Sequence, residues 1–302
     1  MYFTSLPDHT KPDFDEELHF SLFKKHNIIF NAESSYSSCD RHVGCLSFKT
    51  ILSGEEWYGI NRQELAIRPG QFLILNNEQE YSCHMDTGEK VKNLSVFFKQ
   101  EFAAAVFHDT INKEESVLDA PFDHLHQAPE FFQTLQNITP ELQQQLNLLL
   151  YKLNNQGYHS SMADEQLFFL LRYLLQTHQS DTKRAQQVNA IKRSTKMEVY
   201  KRLCIAKDIL HSSYIDDIDL NVMSKLSCLS VPQLVRQFKS VFNTTPYQYL
   251  INIRLQRAAE LLKSTTKPIH EVTWLCGFEN VSAFSRAFKT AYGTPPTSYR
   301  NC

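Results

Sequence analysis

The C-terminal third of this chain contains the same pattern twice. When residues 230–250 are laid over residues 280–300, a shift of 50, seven of 21 positions are identical. Val231, Arg236, Phe238, Lys239, Thr244, Pro246 and Tyr249 fall on Val281, Arg286, Phe288, Lys289, Thr294, Pro296 and Tyr299. About one identity is expected from average composition. Upstream the shift drops to 49, with Leu220, Met223, Ser224, Leu226 and Leu229 over Ile269, Val272, Thr273, Leu275 and Phe278. One copy therefore carries one extra residue, at the turn that enters a second helix. A repeat of this kind implies one supersecondary unit built twice.

Each copy reads as helix, short turn, helix. In the first, residues 220–227 are short and amphipathic, Cys228 and Leu229 turn, and Ser230 suits the N-cap of a helix over 231–241. Leu234, Phe238 and Val241 recur there at helical spacing and are expected in a core. In the second, Pro268 opens the first helix, Cys276-Gly277-Phe278 turns, and a helix over 281–292 buries Phe284 and Phe288. This is the helix-turn-helix pattern, whose second helix enters the DNA major groove. The first reading face carries Pro232, Gln233, Val235, Arg236 and Lys239. The second carries Ser282, Ser285, Arg286 and Lys289. A guanidinium can bridge guanine O6 and N7, so Arg236 and Arg286 are assigned to bases and the lysines to phosphate.

Between the units, Thr245 and Pro246 start a helix that runs to about Lys263. Its length, roughly 27 Å at 1.5 Å per residue, approaches the ~34 Å turn of B-DNA. Such a rod can set two recognition helices in successive grooves on one face of double-stranded DNA. Arg254 and Arg257 on the rod are candidates for phosphate contact or for pairing with acids. Charge agrees with a polyanionic partner. Residues 191–302 carry 16 Lys+Arg against 8 Asp+Glu, residues 1–190 carry 15 against 25, and the net charge is −2.

These residues resemble the AraC/XylS family of bacterial transcription regulators. The resemblance rests on Gly277-Phe278, on Phe284-Ser285-Arg286-Ala287-Phe288-Lys289, and on Tyr292-Gly293-Thr294-Pro295-Pro296 with Tyr299-Arg300. The first unit matches through Leu234-Val235-Arg236-Gln237-Phe238-Lys239 and Pro246-Tyr247-Gln248-Tyr249-Leu250, and the rod through residues 254–262. Three positions depart from the family pattern: Cys228 stands at a usual turn glycine, and Ser224 and Thr273 at usual alanines. The resemblance implies sequence-specific DNA binding and contact with RNA polymerase. It also implies a small-molecule effector or homodimer contact in the N-terminal part.

That part carries short stretches rich in strand formers at 45–48, 57–60, 64–67, 72–75 and 94–98, with a Pro69-Gly70 turn. The family resemblance makes this a cupin-like β-barrel; a generic sandwich is the alternative. Trp57, Tyr58 and Tyr81 either line a pocket or fill an aromatic core. A cupin-type enzyme would need a His-x-His with a carboxylate on adjoining strands. The one His-x-His, His124-Leu125-His126, lies outside the strand region, and His84 has no partner at suitable spacing. No phosphate loop or nucleophile motif is present. No catalysis, metal or cofactor is expected.

Helices follow from Thr139-Pro140 and from Ser161 with Asp164, then a polar hinge at 176–194, then a capping box at Thr195 and Glu198. The expected fold class is α+β multidomain: an N-terminal cupin-like β-barrel with helices, and a C-terminal all-α double helix-turn-helix, homeodomain-like module. The expected division is a sensing or dimerisation domain over 1–180, a linker over 181–194 and a DNA-binding domain over 195–302. Dispersed cysteines, seven in number, and the absence of a long apolar run suggest a cytoplasmic protein with no membrane partner. A constitutive regulator without a ligand is the alternative reading.

Overall fold

The structure is a computed structural model that describes residues 1–7, 15–61, 63–85, 88, 90–111 and 130–300. The chain forms two compact units, Met1–Thr182 and Lys183–Cys302.

The first unit is built on two sheets. Its elements are β1 (Tyr2–Phe3), α1 (Glu16–Lys25), β2 (Ile28–Ser34), β3 (Ser37–Val43), β4 (Ser47–Ser53), β5 (Glu56–Ile60), β6 (Gln63–Ile67), β7 (Gln71–Leu75), β8 (Glu80–Met85), β9 (Val91–Phe97), α2 (Gln100–Ile111), β10 (Gln136–Asn137), α3 (Pro140–Gln156) and α4 (Ser160–Ala185). The larger sheet runs β1-β2-β9-β4-β7-β10 and the smaller β3-β8-β5-β6.

Side-chain alternation decides what each sheet faces. On its outer side the larger sheet presents Phe48, Phe72, Ile74, Leu94 and Val96 to Leu142, Leu146 and Leu149 of α3 and Leu167, Leu171 and Leu174 of α4. On its inner side Ile51, Leu73, Leu75 and Val91 meet Tyr58, Ile60, Leu65, Ile67, Tyr81 and Met85 of the smaller sheet. Buried on both faces, β7 reads as the unbroken apolar run Phe72-Leu73-Ile74-Leu75. The smaller sheet has one wetter face, and β5 accordingly alternates between buried and half-buried residues.

Strands occur at each expected stretch: β5, β6 and β7 start one residue earlier than expected, the stretch at 45–48 is shifted to Ser47–Ser53, and that at 94–98 to Val91–Phe97. β2 and β3 begin earlier than the strand region was expected to; the apolar triplet Ile28-Ile29-Phe30 is the signal of β2. Among the described residues the two sheets are not joined by hydrogen bonds into a closed barrel. The first part of the expected hinge, 176–185, is helical, because α4 continues to Ala185, and 186–192 join it to the next helix. Ser161 lies inside α4, so it does not cap it. His124-Leu125-His126 lies outside the described residues. His84 stacks on Trp57 with ring centroids 6.4 Å apart.

The second unit contains α5 (Arg193–Ser212), α6 (Leu220–Ser227), α7 (Val231–Phe242), α8 (Pro246–Ser264), α9 (Ile269–Leu275), α10 (Val281–Tyr292) and α11 (Pro296–Arg300). α5 starts two residues before Thr195, with Lys192 at its N-cap and no side-chain cap. The expected capping box therefore does not form, and Glu198 instead accepts from Arg202 at 3.0 Å.

Two charged side chains sit between the sheets, Lys49 on β4 and Glu56 on β5, 4% and 3% exposed. Burial pushes the Glu56 carboxyl from 4.5 up to about 7, partly opposed by the Lys49 ammonium. Between those values the folded state holds a proton that the unfolded state has released. Stability therefore falls as pH rises through that window. Glu56→Gln removes this dependence. In urea unfolding at pH 5 and pH 7.5, the variant is expected to gain on the parent by up to about 3 kcal/mol at the higher pH. A difference that does not change with pH would contradict the burial argument.

Candidate nucleic-acid interface

The two repeats fold to the same hydrogen-bonded turns. In the first, Cys228 N–H donates to Lys225 O at 3.3 Å and Leu229 N–H to Ser224 O at 3.1 Å. In the second, Gly277 N–H donates to Trp274 O at 2.9 Å and Phe278 N–H to Thr273 O at 3.0 Å. Each pair sits 49 residues apart, as the upstream alignment requires. The extra residue of the second copy falls between Phe278 and the N-cap of α10, Asn280. From there the shift is 50: α7 spans Val231–Phe242 and α10 spans Val281–Tyr292, each followed by a left-handed residue, Asn243 or Gly293.

The repeated aromatic pairs have a packing reason. Phe238 of α7 meets Tyr249 edge-on, with centroids 5.5 Å apart at 81°. Phe288 of α10 meets Tyr299 in the same way, 5.2 Å apart at 77°. Leu234, Phe238, Phe284 and Phe288 are all fully buried. The inward face of each recognition helix is thereby fixed, which sets the outward one.

On that outward face Pro232, Arg236 and Lys239 are exposed, and Gln233 and Val235 half-buried. On α10 Ser282, Arg286 and Lys289 are exposed and Ser285 half-buried. Among the described residues, the side chains of Arg236, Lys239, Arg286 and Lys289 make no ion pair. Neighbouring cations are engaged: Arg202 with Glu198 at 3.0 Å, Arg257 with Glu260 at 2.6 Å and Lys267 with Glu271.

α8 is the rod, 19 residues and about 28 Å long. Its start is a capping box: Thr245 Oγ1 accepts from Gln248 N–H at 3.3 Å, and Gln248 Oε1 accepts from Thr245 N–H at 3.2 Å. Leu255, Ala258, Ala259 and Leu262 pack against Val272, Cys276, Phe278, Phe284 and Phe288. The two arginines on the rod are turned to internal work. Arg254 donates to the carbonyls of Tyr214 at 2.7 Å and Asp216 at 2.9 Å, and Arg257 donates to Glu260.

One residue of the reading helix escaped sequence reasoning. Gln237 is buried and exchanges two hydrogen bonds with the Asn189 backbone, at 3.0 and 3.2 Å. Ser240 Oγ donates to Gln187 O at 3.0 Å. The segment before α5 is therefore clamped to α7. A polar residue in an apolar register, Leu234-x-x-Gln237-Phe238, is the signal that could have found it.

Residues 223–301 match the family described as "Helix-turn-helix domain". Over 159 residues the chain is 31% identical to a probable transcriptional regulator, LumQ, of Photobacterium leiognathi, covering 49% of this chain and 64% of that protein. It is 21% identical over 298 residues to an uncharacterized HTH-type transcriptional regulator of Haemophilus influenzae, covering 90% and 91%. The C-terminal domain of AraT, a response regulator of Geobacillus stearothermophilus, is 32% identical over 33% of this chain and 84% of that one, with a TM-score of 0.32. The match thus spans under two thirds of LumQ, and only 22% of the regulator ArgR of Pseudomonas aeruginosa. The C-terminal segment is a helix-turn-helix domain, duplicated on a single rod. The relatives it matches are named as transcriptional regulators.

The two copies differ in strain. Cys228 holds φ 52°, a left-handed conformation that costs a residue with a Cβ roughly 1–2 kcal/mol. Gly277 holds φ 75°, and a Cβ there would lie 2.7 Å from Ile215 O. Asn280 Oδ1 accepts from the N–H groups of Ser282 and Ala283, at 2.8 and 3.1 Å. Ser230 sits at the N-cap of α7, as expected, but makes no side-chain cap bond. Thermal unfolding is expected to show Cys228→Gly stabilised by about 0.5–1 kcal/mol and Gly277→Ala destabilised by more than about 1 kcal/mol. Asn280→Ala should cost about 1 kcal/mol and Ser230→Ala less. Equal effects at the two turns would contradict the asymmetry.

Proposed function

We propose that this protein is a sequence-specific transcription regulator that inserts α7 and α10 into successive major grooves of double-stranded DNA. The observation that carries this reading is the pairing of exposed, uncommitted cations at equivalent positions of two buried-face helices on one rod. Arg236 and Arg286 read base edges, and Lys239 and Lys289 hold phosphate. Gln233, Ser282 and Ser285 add hydrogen-bonding groups, and Pro232 and Val235 offer apolar contact to a thymine methyl. The reading faces differ in polarity, so the two half-sites differ in sequence. Arg254 and Arg257 support the rod more than they serve DNA, given the internal partners they hold.

The N-terminal unit acts as the control domain. Its two-sheet architecture with an interior cavity supports a cupin-like, ligand-modulated reading over a constitutive one. Contact with RNA polymerase and homodimer formation follow from the resemblance to AraC/XylS regulators. So does a cytoplasmic location, where chromosomal DNA is read. No catalytic step is assigned.

Selected operator fragments test the DNA reading. Arg236→Ala and Arg286→Ala are each expected to cost about 1–3 kcal/mol of specific affinity and to relax preference in their own half-site. Lys239→Ala weakens binding to all sequences and lowers the slope of log affinity against log salt by about one. If both arginine variants kept the parent's affinity and sequence preference, the two-groove reading would fall.

A further inference from the structure

The cavity of the N-terminal unit, about 740 Å³ in volume, opens between the two sheets. That volume suits a small organic ligand. Its polar floor is unusual for a protein interior. Lys49, Glu56, Asn93 and Ser95 line it, each at most 4% exposed. Lys49 and Ser95 are direct cross-strand partners on β4 and β9, so both belong to the inner face of the larger sheet.

The donors and acceptors on this floor do not balance. The Lys49 ammonium lies 3.5 Å from the centre of the Phe97 ring and 5.7 Å from that of Tyr81. Among the described residues it forms no ion pair. Glu56 is hydrogen-bonded to Tyr58 and Asn93. Its Oε2, however, has no partner, and neither has Asn93 Oδ1. Buried polar atoms left this way are rare in native interiors and call for an explanation. Above about pH 7, where Glu56 has released its proton, the floor thus offers one cation and two buried acceptors that want donors. Phe23, Phe30 and Phe97 add an aromatic wall.

This pattern selects among ligands. A cation is repelled by Lys49. A dianion meets Glu56. A plain hydrocarbon carboxylate satisfies Lys49 but leaves both acceptors orphaned. A monocarboxylate with a hydroxyl or ammonium group on the adjacent carbon satisfies all three, and its apolar remainder meets the aromatic wall. We propose that this cavity binds an α-hydroxy or α-amino acid with an apolar side chain, its carboxylate on Lys49 and its donor on Glu56 and Asn93. The proposal rests on the reading of this unit as a control domain, and gives that domain a ligand class.

Calorimetry on the full chain, without DNA, tests it. The probes are 3-phenyllactate and L-phenylalanine, 2-hydroxyisocaproate and L-leucine, the donor-free 3-phenylpropanoate and isocaproate, and the acid-free 2-phenylethylamine. At least one donor-bearing acid is expected to bind with Kd on the order of millimolar or tighter, and about tenfold tighter than its donor-free counterpart. The amine should not bind. Lys49→Met should abolish binding while its thermal midpoint stays at or above the parent's. Glu56→Gln should erase the preference for the donor. Absence of binding by all four donor-bearing acids overturns the proposal, as does equal binding of the donor-free acids or unchanged binding by Lys49→Met. Operator affinity is measured alongside. If the acids fail while operator binding persists, the ligand class falls and the DNA reading stands. If they bind without altering operator affinity, the site stands and the control role falls.

Discussion

The C-terminal unit depends on two edge-to-face ring contacts, Phe238 with Tyr249 and Phe288 with Tyr299. Each ties a recognition helix to the segment that follows it. Pairs of this kind add about 0.5–1.5 kcal/mol beyond their buried area, but their larger effect is orientation. With Phe238 and Phe288 turned wholly inward, helical geometry leaves Arg236 with Lys239, and Arg286 with Lys289, facing out. The reading surface is thus a consequence of the core. α8 then carries both units, through Tyr249 near its start and through Leu255, Ala258 and Leu262 further along.

The N-terminal unit answers a different constraint. Its larger sheet is buried on both faces and packs apolar side chains against α3 and α4. That face is a conventional hydrophobic core. The interior between the sheets departs from this where Lys49, Asn93 and Ser95 of the larger sheet and Glu56 of the smaller one interrupt the apolar packing. Burying those groups opposes folding, and the orphaned acceptors show that the opposition is not relieved within the described residues. A bound molecule that supplies the missing donors would offset that cost.

Much of the C-terminal unit was legible from sequence because the signals are local and doubled. The Phe, Arg and Lys positions repeat at 50, Thr245-Pro246 caps the rod, and Gly277 marks its turn. Ser230 shows where such reasoning stops: its residue type suits a cap, yet no bond forms. Gln237 shows a second limit, because its partner at Asn189 lies 48 residues away. In the N-terminal unit, strand composition located β4 to β7 and β9. The polar floor was not foreseen, since Lys49 in Ser47-Phe48-Lys49-Thr50-Ile51 looks like a solvent-facing residue until both faces of the sheet are known to be covered. Polarity alone placed the start of the hinge too early, because α4 carries its polar residues to Ala185 as an ordinary helix.

The central claim is that two unlike units on one rod read neighbouring grooves of the same DNA face. Hydroxyl-radical footprinting of the full chain on a selected operator tests it most directly. The account predicts two protected patches centred about 10 base pairs apart on one face of the duplex, with Arg236→Ala weakening one patch and Arg286→Ala the other. A single patch about one half-site wide, or both patches fading together in either variant, would contradict it.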